Sequence, residues 1–311
     1  MKLFIVAVLC PIFLSANTTS PNKYPTGQLG KYIKLGENIF HHTGTHPLSK
    51  KYVTNRLTCK SCHPAGKDGR GGTRMTPTSS LIGVANAYPA KSSKQGTIIT
   101  LQDRISDCFM DCMSGARSPV DSDTNIALTA YMGWLSQGYR YKMNNMQPIN
   151  EISNRVWSNG KKKFAIIQRK ATHKNYLNGK KLYLKKCSSC HGKNGAGISP
   201  NPPLWGRDKK TGQWLSYDAN SGLEALHKAA IWIQKNMPFG KENTLKDQEA
   251  ADIAIYITAQ PHESFDTKKA LRFTKGLYRS KYPNRKESVR NQFKKFNLDI
   301  DKIRGDKVIP K

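Results

Sequence analysis

The pattern C-x-x-C-H occurs twice in this chain, at Cys59–His63 and again at Cys187–His191. It is the attachment pattern of a c-type haem, in which two thiols bond to the porphyrin and the adjacent histidine lies under the iron. A redox C-x-x-C or half of a zinc site is the alternative for a single copy. Two copies in segments of similar layout favour two covalently bound haem c groups. The predicted attachment residues are Cys59, Cys62, Cys187 and Cys190, with His63 and His191 as proximal ligands.

Each motif occupies the same place in a repeated segment. A helical pattern precedes it, a glycine-rich loop follows it, and another helical pattern closes the segment. This is the layout of a class I cytochrome c domain. We therefore predict an all-α fold of two tandem class I cytochrome c domains with a basic C-terminal extension. The predicted helices are Gly30–Phe40, Leu101–Met113, Asn178–Lys186 and Leu223–Lys235, with two more capped by Asp121 or Asp123 and by Asp247.

The N-terminus has the pattern of a secretory signal, because Lys2 precedes the apolar run Leu3–Leu14 and small residues follow. The run is too short to be a good membrane span, so we expect a periplasmic protein without stable membrane insertion. Cys10 would leave with this signal. The predicted divisions are the signal peptide at 1–16, the first domain at 23–143, a linker at 144–159, the second domain at 160–262 and a basic tail at 263–311.

The charge balance is strongly basic. The 311 residues include 51 Lys plus Arg against 21 Asp plus Glu, a net charge of +30. Such a charge favours an anionic substrate, an acidic redox partner or an anionic surface, with a solvated basic surface as the alternative. An exported haem protein is not expected to bind nucleic acid.

The sixth ligand of the second haem is expected some tens of residues after its proximal histidine. Met237, directly before Pro238, is the candidate there, because a following proline fixes the chain where the thioether must point. Histidine–methionine ligation raises the potential of a haem and suits electron transfer. Lys235 is a nearby alternative ligand if its amine is deprotonated.

A similar number of residues after His63 leads to Cys108. The offset from His63 to Cys108 equals that from His191 to Met237 to within one residue. Cys112, Met110 and Met113 are competing candidates close by. Cys108 and Cys112 stand at i and i+4 in a predicted helix, which is poor geometry for a disulfide. A thiolate ligand would stabilise ferric iron, and a thiolate is also a nucleophile towards sulfur.

Several segments resemble dihaem thiosulfate dehydrogenases, and the resemblance covers about residues 30–262. The most selective part is the stretch from Arg104 to Cys108. The segments are Gly83–Ala85, Ala87–Pro89, Lys94–Gly96, Thr100–Phe109, Met113–Gly115, Ala130–Ser136, Pro203–Gly206 and Asn236–Pro238.

The resemblance implies a catalytic first domain, whose haem has His63 and Cys108 as ligands, and an electron-transfer second domain, whose haem has His191 and Met237. It implies that two thiosulfates join into tetrathionate, or the reverse, with an external cytochrome c or similar acceptor.

The resemblance also assigns substrate residues. Arg104 matches the substrate-binding arginine of the family, while Lys94 stands where a second arginine is expected and Cys112 where serine is expected. Arg74 and Arg117 are further candidate cations. Cys112, Asn236 and Lys235 are candidate substrate or tuning residues.

Two rival functions remain open from sequence. The haem A-subunit of the Sox sulfur-oxidising system also has a cysteine-ligated haem, but it acts on sulfur bound to a carrier protein. A non-enzymatic dihaem electron carrier is the other alternative, although a simple carrier has no need of a cysteine ligand.

Overall fold

The computed structural model describes residues 23–92, 97–139, 141, 151–264 and 285–304. The predicted signal at 1–16 lies outside these residues. The helices are α1 (Gly27–His42), α2 (Cys59–Cys62), α3 (Leu101–Asp111), α4 (Asp123–Trp134), α5 (Glu151–Arg169), α6 (His173–Lys186), α7 (Ser188–His191), α8 (Leu226–Asn236), α9 (Asp247–Thr258), α10 (Arg285–Lys294) and α11 (Ile300–Arg304). Short 3₁₀ turns occur at Lys50–Tyr52, Val84–Ala87 and Gly222–Glu224.

One small sheet interrupts this helical architecture. Strand β1 (Ala90–Ser92) pairs antiparallel with β2 (Thr97–Ile99), with Ala90 opposite Ile99 and Ser92 opposite Thr97. Strands of three residues add little buried surface, so the core of the first domain is built by helices.

The first domain is organised by α1 crossing α4. Gly36 lies at the crossing, and a Cβ added there would be 2.0 Å from the carbonyl oxygen of Ala127. Glycine is therefore what lets the two backbones approach. The same core contains the fully buried side chains of Ile39, Phe40 and Tyr131.

The second domain repeats this crossing with α6 and α9. A Cβ added to Gly179 would be 2.0 Å from the carbonyl oxygen of Asp252 and 3.0 Å from the Cβ of Tyr256. The ring of Tyr183 packs against that of Tyr256 at 5.4 Å between centroids. The predicted tandem repeat is thus confirmed by the same helix contact in both halves.

We expect Gly36→Ala to lower the free energy of unfolding by about 1–3 kcal/mol, because the new methyl group meets backbone that cannot move aside. Gly133→Ala in α4 is the matched control, since a Cβ there meets nothing within 4 Å. Alanine should stabilise a helix at that position by up to about 1 kcal/mol. Urea unfolding measures both, and a neutral Gly36→Ala would contradict the tight crossing.

Two helix starts differ from the prediction. The N-cap of α4 is Ser122, whose Oγ accepts from the backbone N–H of Asn125 at 3.3 Å, and Asp123 is already helical. Asp247 is the first residue of α9 rather than its cap. Its carboxylate instead accepts a hydrogen bond from the amine of Lys163 at 2.7 Å, so this side chain joins α9 to α5.

Helix α5 includes residues 151–159, which the sequence analysis assigned to a linker. Its Phe164 is only 1% exposed in the second core, and Gly160 faces Ile231 of α8. This stretch therefore packs on the second domain, while residues 142–150 lie outside the described part of the chain.

The basic tail, predicted from residue 263 onward, also packs on the second domain where it is described. Four apolar side chains on and between α10 and α11 are at most 5% exposed. They form a third hydrophobic cluster with residues of the second domain. The tail residues are Phe293, Phe296, Leu298 and Ile300, and their partners are Ala171, Leu226, Ile255 and Ala259.

Polar contacts join the two domains at the C-terminal end of α3. Buried side chains on each side provide donors for the other, so few polar groups are left unsatisfied there. The bonds across the boundary are Asn55 Nδ2 to the carbonyl oxygen of Ser216 (3.0 Å), Ser114 Oγ to Asp218 (3.2 Å) and Asn220 Nδ2 to Asp111 Oδ1 (2.8 Å). Within the first domain, Asn55 Nδ2 also donates to the carbonyl oxygen of Cys112 at 3.0 Å.

Candidate functional site

Both C-x-x-C-H motifs fold as a single helical turn that ends at the histidine. The N–H of His63 donates to the carbonyl oxygen of Cys59 at 2.9 Å. The Nδ1 atom of each histidine then donates to a backbone carbonyl at 2.8 Å, His63 to Ser79 and His191 to Pro202. A carbonyl can only accept, so each Nε2 keeps its lone pair for a metal.

The thiols of these turns fit covalent attachment of haem. In the described part of the chain, no disulfide joins any of the six cysteines. Burial raises the pKa of Cys59 and of Cys62 to about 12, and that of Cys187 to about 11. Each turn therefore offers two cysteines outside any disulfide and one imidazole nitrogen, which is the donor set that c-type haem attachment requires.

Helix α3 presents Arg104, Cys108 and Cys112 at successive turns. The Cys112 thiol hydrogen bonds to the Cys108 sulfur, and this bond is the main cause that raises the pKa of Cys112 well above its usual value. The Cys112 thiol is therefore held protonated next to the Cys108 sulfur. The competing candidates Met110 and Met113 are buried, at 3% and 4% exposed.

The α3 side chains lie beside the first C-x-x-C-H turn. Burial raises the pKa of Cys62, and the nearby Cys108 adds to that rise. Burial lowers the pKa of His63 to about 4, and the positive charge of Arg104 contributes to this shift. The structure thus brings the predicted residues of the first haem site together.

The Arg104 guanidinium is held in its charged form. The neighbouring Cys108 thiolate raises the pKa of Arg104 well above its usual value, against the opposing effect of burial. The Tyr88 hydroxyl is also close enough to interact with Arg104 by hydrogen bonding. Sequence reasoning did not select Tyr88, and the only signal for it was its position in one of the resembling segments.

The other predicted cations lie elsewhere. Arg117 pairs with Asp103, and Arg74 pairs with Glu242 of the second domain. A carboxylate partner offsets each charge, so these arginines attract an anion less than Arg104 does. Lys94 lies outside the described residues, in the chain between β1 and β2.

Met237 lies directly after α8 in the second domain. Its N–H donates to the carbonyl oxygen of Ile233 at 2.8 Å, and its side chain packs against the same core as Cys187. The amine of Lys235 donates to Asn243 Oδ1 at 2.8 Å. The Met237 side chain therefore packs on the core that also contacts the second attachment turn, while the Lys235 amine is engaged by another side chain.

Family models match both halves of the chain. Residues 43–141 match the model described as SoxA/TsdA, cytochrome c domain, and residues 176–260 match the model described as cytochrome c. One cytochrome c domain therefore surrounds each C-x-x-C-H motif, as predicted.

Curated relatives decide the family. The chain is 31% identical over 247 residues to a thiosulfate dehydrogenase of Allochromatium vinosum, an alignment that covers 78% of this chain and 82% of that protein. The chain belongs to the thiosulfate dehydrogenase family. A second thiosulfate dehydrogenase, from Thiomonas intermedia, is 32% identical over 243 residues, which cover 76% of this chain and 68% of the relative.

A solved member of the thiosulfate dehydrogenase family shares the fold. It is the thiosulfate dehydrogenase (TsdBA) of Marichromatium purpuratum in its "as isolated" form, with a TM-score of 0.61 and 28% identity. The match covers 84% of this chain and 54% of that one, so this chain spans about half of the larger protein. As a member of the thiosulfate dehydrogenase family, the chain is an oxidoreductase with two covalently bound c-type haems.

Proposed function

We propose that this protein interconverts thiosulfate and tetrathionate at the first haem site, where His63 and Cys108 would hold the haem iron. The second site, with His191 and Met237, relays electrons to an external cytochrome c or a similar acceptor. The observation that supports this proposal best is the placement of Arg104, Cys108 and Cys112 on successive turns of α3, beside the first C-x-x-C-H turn.

The reaction joins two dianions, so the site must offset their repulsion. Oxidation of two thiosulfates forms one sulfur–sulfur bond and releases two electrons, and reduction of tetrathionate reverses both changes. When bound, the two haem irons can take up these electrons, one each. Arg104 is charged and partly buried, so its guanidinium can bind sulfonate oxygens more strongly than a solvated cation would.

Cys108 and Cys112 have different roles in the proposed sulfur chemistry. Cys112 keeps its proton and hydrogen bonds to the Cys108 sulfur, which stabilises negative charge on Cys108. The Cys108 thiolate can then serve as a ligand and, in the reductive direction, as the nucleophile that attacks an inner sulfur of tetrathionate, which breaks the central sulfur–sulfur bond and releases one thiosulfate. Two electrons then release the second thiosulfate from Cys108 and restore the thiolate. The Tyr88 hydroxyl can orient the Arg104 guanidinium by a hydrogen bond.

The location and the acceptor follow from sequence features. The signal pattern at residues 1–16 supports export to the periplasm, and the net charge of +30 favours an acidic electron acceptor. None of the helices in the described residues has the length and apolar content that a bilayer-spanning segment needs.

Turnover of free thiosulfate by the purified, haem-loaded protein tests the proposal. With an external cytochrome c as acceptor and no other protein present, we expect two electrons to reach the acceptor for each tetrathionate formed. Sulfite, which lacks the outer sulfur atom, is the matched control and should yield no tetrathionate. Activity only on a carrier protein with cysteine-bound sulfur would favour the Sox-type alternative. No activity on either substrate would favour the electron-carrier alternative.

A further inference from the structure

Asn236 is a buried amide at the boundary between the two domains, and it directly precedes Met237. No part of Asn236 is exposed. Its Oδ1 accepts from Thr76 Oγ1 at 2.6 Å and from Ser79 Oγ at 2.7 Å, and its Nδ2 donates to Thr78 Oγ1 at 2.6 Å. All three partners belong to the first domain, although Asn236 ends a helix of the second.

Ser79 connects these bonds to the first haem site. Its carbonyl oxygen accepts from His63 Nδ1 at 2.8 Å, while its hydroxyl donates to Asn236. On the other side, Asn236 Nδ2 also donates to the carbonyl oxygen of Trp232 at 2.8 Å, which ties the amide to its own helix. One short path therefore runs from the proximal histidine of the first site to the residue before Met237.

A second contact holds the same two loops together. Arg74 of the first domain forms an ion pair with Glu242, which follows Met237 in the chain. The Arg74 guanidinium also lies 3.8 Å from the ring centroid of Phe239. These contacts flank the Asn236 bonds, so the loop that carries Met237 is fastened to the first domain on both sides of the methionine.

We propose that Asn236 is a positioning residue that couples the distal ligand loop of the second haem to the proximal ligand loop of the first. The inference rests on ligation of the second haem by Met237. A buried amide with satisfied donors and acceptors is rigid, because any displacement leaves polar groups unpaired in a medium of low dielectric constant. Asn236 thus holds the Met237 thioether in place by means of hydroxyl groups that lie in the other domain.

Competition by added imidazole in the ferric, full-length protein tests this role. Imidazole displaces a methionine ligand, and the loss is followed through the methionine-to-iron charge-transfer band in the near-red. In Asn236→Leu, which keeps the volume but removes the amide, the imidazole concentration that halves the band should fall by about ten-fold, the effect of losing buried hydrogen bonds. Thr76→Val should also lower this imidazole concentration, although Thr76 lies in the other domain.

Asn220→Ala is the matched control. Asn220 is also a buried amide that bonds across the domain boundary, at 2.8 Å to Asp111 Oδ1, but Asp111 belongs to α3 rather than to either ligand loop. This variant should lose thermal stability and keep the wild-type imidazole midpoint. An equal shift in Asn220→Ala would overturn the proposal, because general loosening of the domains would then explain it.

Two further outcomes separate this inference from its premise. Met237→Gly should abolish the band, and a wild-type protein without such a band would overturn both the Met237 assignment and the coupling. A wild-type band with an unchanged midpoint in both Asn236→Leu and Thr76→Val would overturn the coupling alone. Thr76→Val removes one hydroxyl and keeps the side-chain shape. It therefore tests the coupling even if Asn236→Leu does not fold.

Discussion

Replacement of Cys108 by alanine should reduce thiosulfate turnover by on the order of 10³-fold or more while both haems remain attached. The attachment thiols and His63 belong to a different segment of chain, so haem loading does not depend on α3. The electron paramagnetic resonance spectrum of the oxidised protein should lose its thiolate-type low-spin signal. Activity and ligation should fail together, because one sulfur serves as ligand and nucleophile.

Cys112→Ser is the control for this prediction. A serine hydroxyl can still donate a hydrogen bond to the Cys108 sulfur, so the thiolate-type signal should persist whatever the effect on rate. If Cys108→Ala turned over thiosulfate normally and Cys112→Ser were inactive, the ligand would be Cys112, one helical turn further on. Full activity of both variants would remove the basis for the proposed enzyme mechanism.

Arg104→Gln should lower kcat/KM for thiosulfate by about 10²–10³-fold, the usual effect of removing one charged donor from a partly buried anion site. Arg104 lies beside Cys108, so loss of its charge also raises the pKa of the Cys108 thiol. The optimum pH should therefore move upward in Arg104→Gln. Initial rates between about pH 5 and pH 9 measure both effects.

Two further variants separate the effect of the Arg104 side chain on kcat/KM from a general effect of positive charge. Arg104→Lys keeps the charge and loses the planar pair of donors, so its kcat/KM should lie between the wild type and Arg104→Gln. Arg117→Gln removes an arginine near the same helix whose partner is Asp103, and its kcat/KM should stay close to wild type. Equal losses in Arg104→Gln and Arg117→Gln would indicate a general effect of surface charge rather than a binding role.

The sequence predicted those parts of the fold that have a local cause. Both copies of C-x-x-C-H in this chain fold as one helical turn, and the α1 and α6 apolar patterns identify the helices that precede them. The tandem all-α cytochrome c fold and the two haems were confirmed for this reason. The roles of Arg104, Cys108 and Met237 stay predictions, supported by their positions.

Features that depend on distant contacts could not be predicted. Residues 151–159 of α5 were assigned to a linker because the stretch is polar and follows Pro148, and Val156 and Trp157 become informative only when they pack on the second core. The packing of the sparse apolar residues of the tail could not be predicted for the same reason. The contacts of Asn236 are of this kind too, since no pattern in the chain relates it to Ser79.

The hydrogen bonds around Asn55, Asp111 and Ser114 have an evolutionary consequence. Two cytochrome domains can in principle be encoded as separate proteins. In this chain, however, the end of the helix that carries Cys108 has hydrogen-bond partners in the second domain. A gene split at the linker would separate these donors from their acceptors, so the end of the Cys108 helix would lose the partners that the second domain provides, which opposes such a fission.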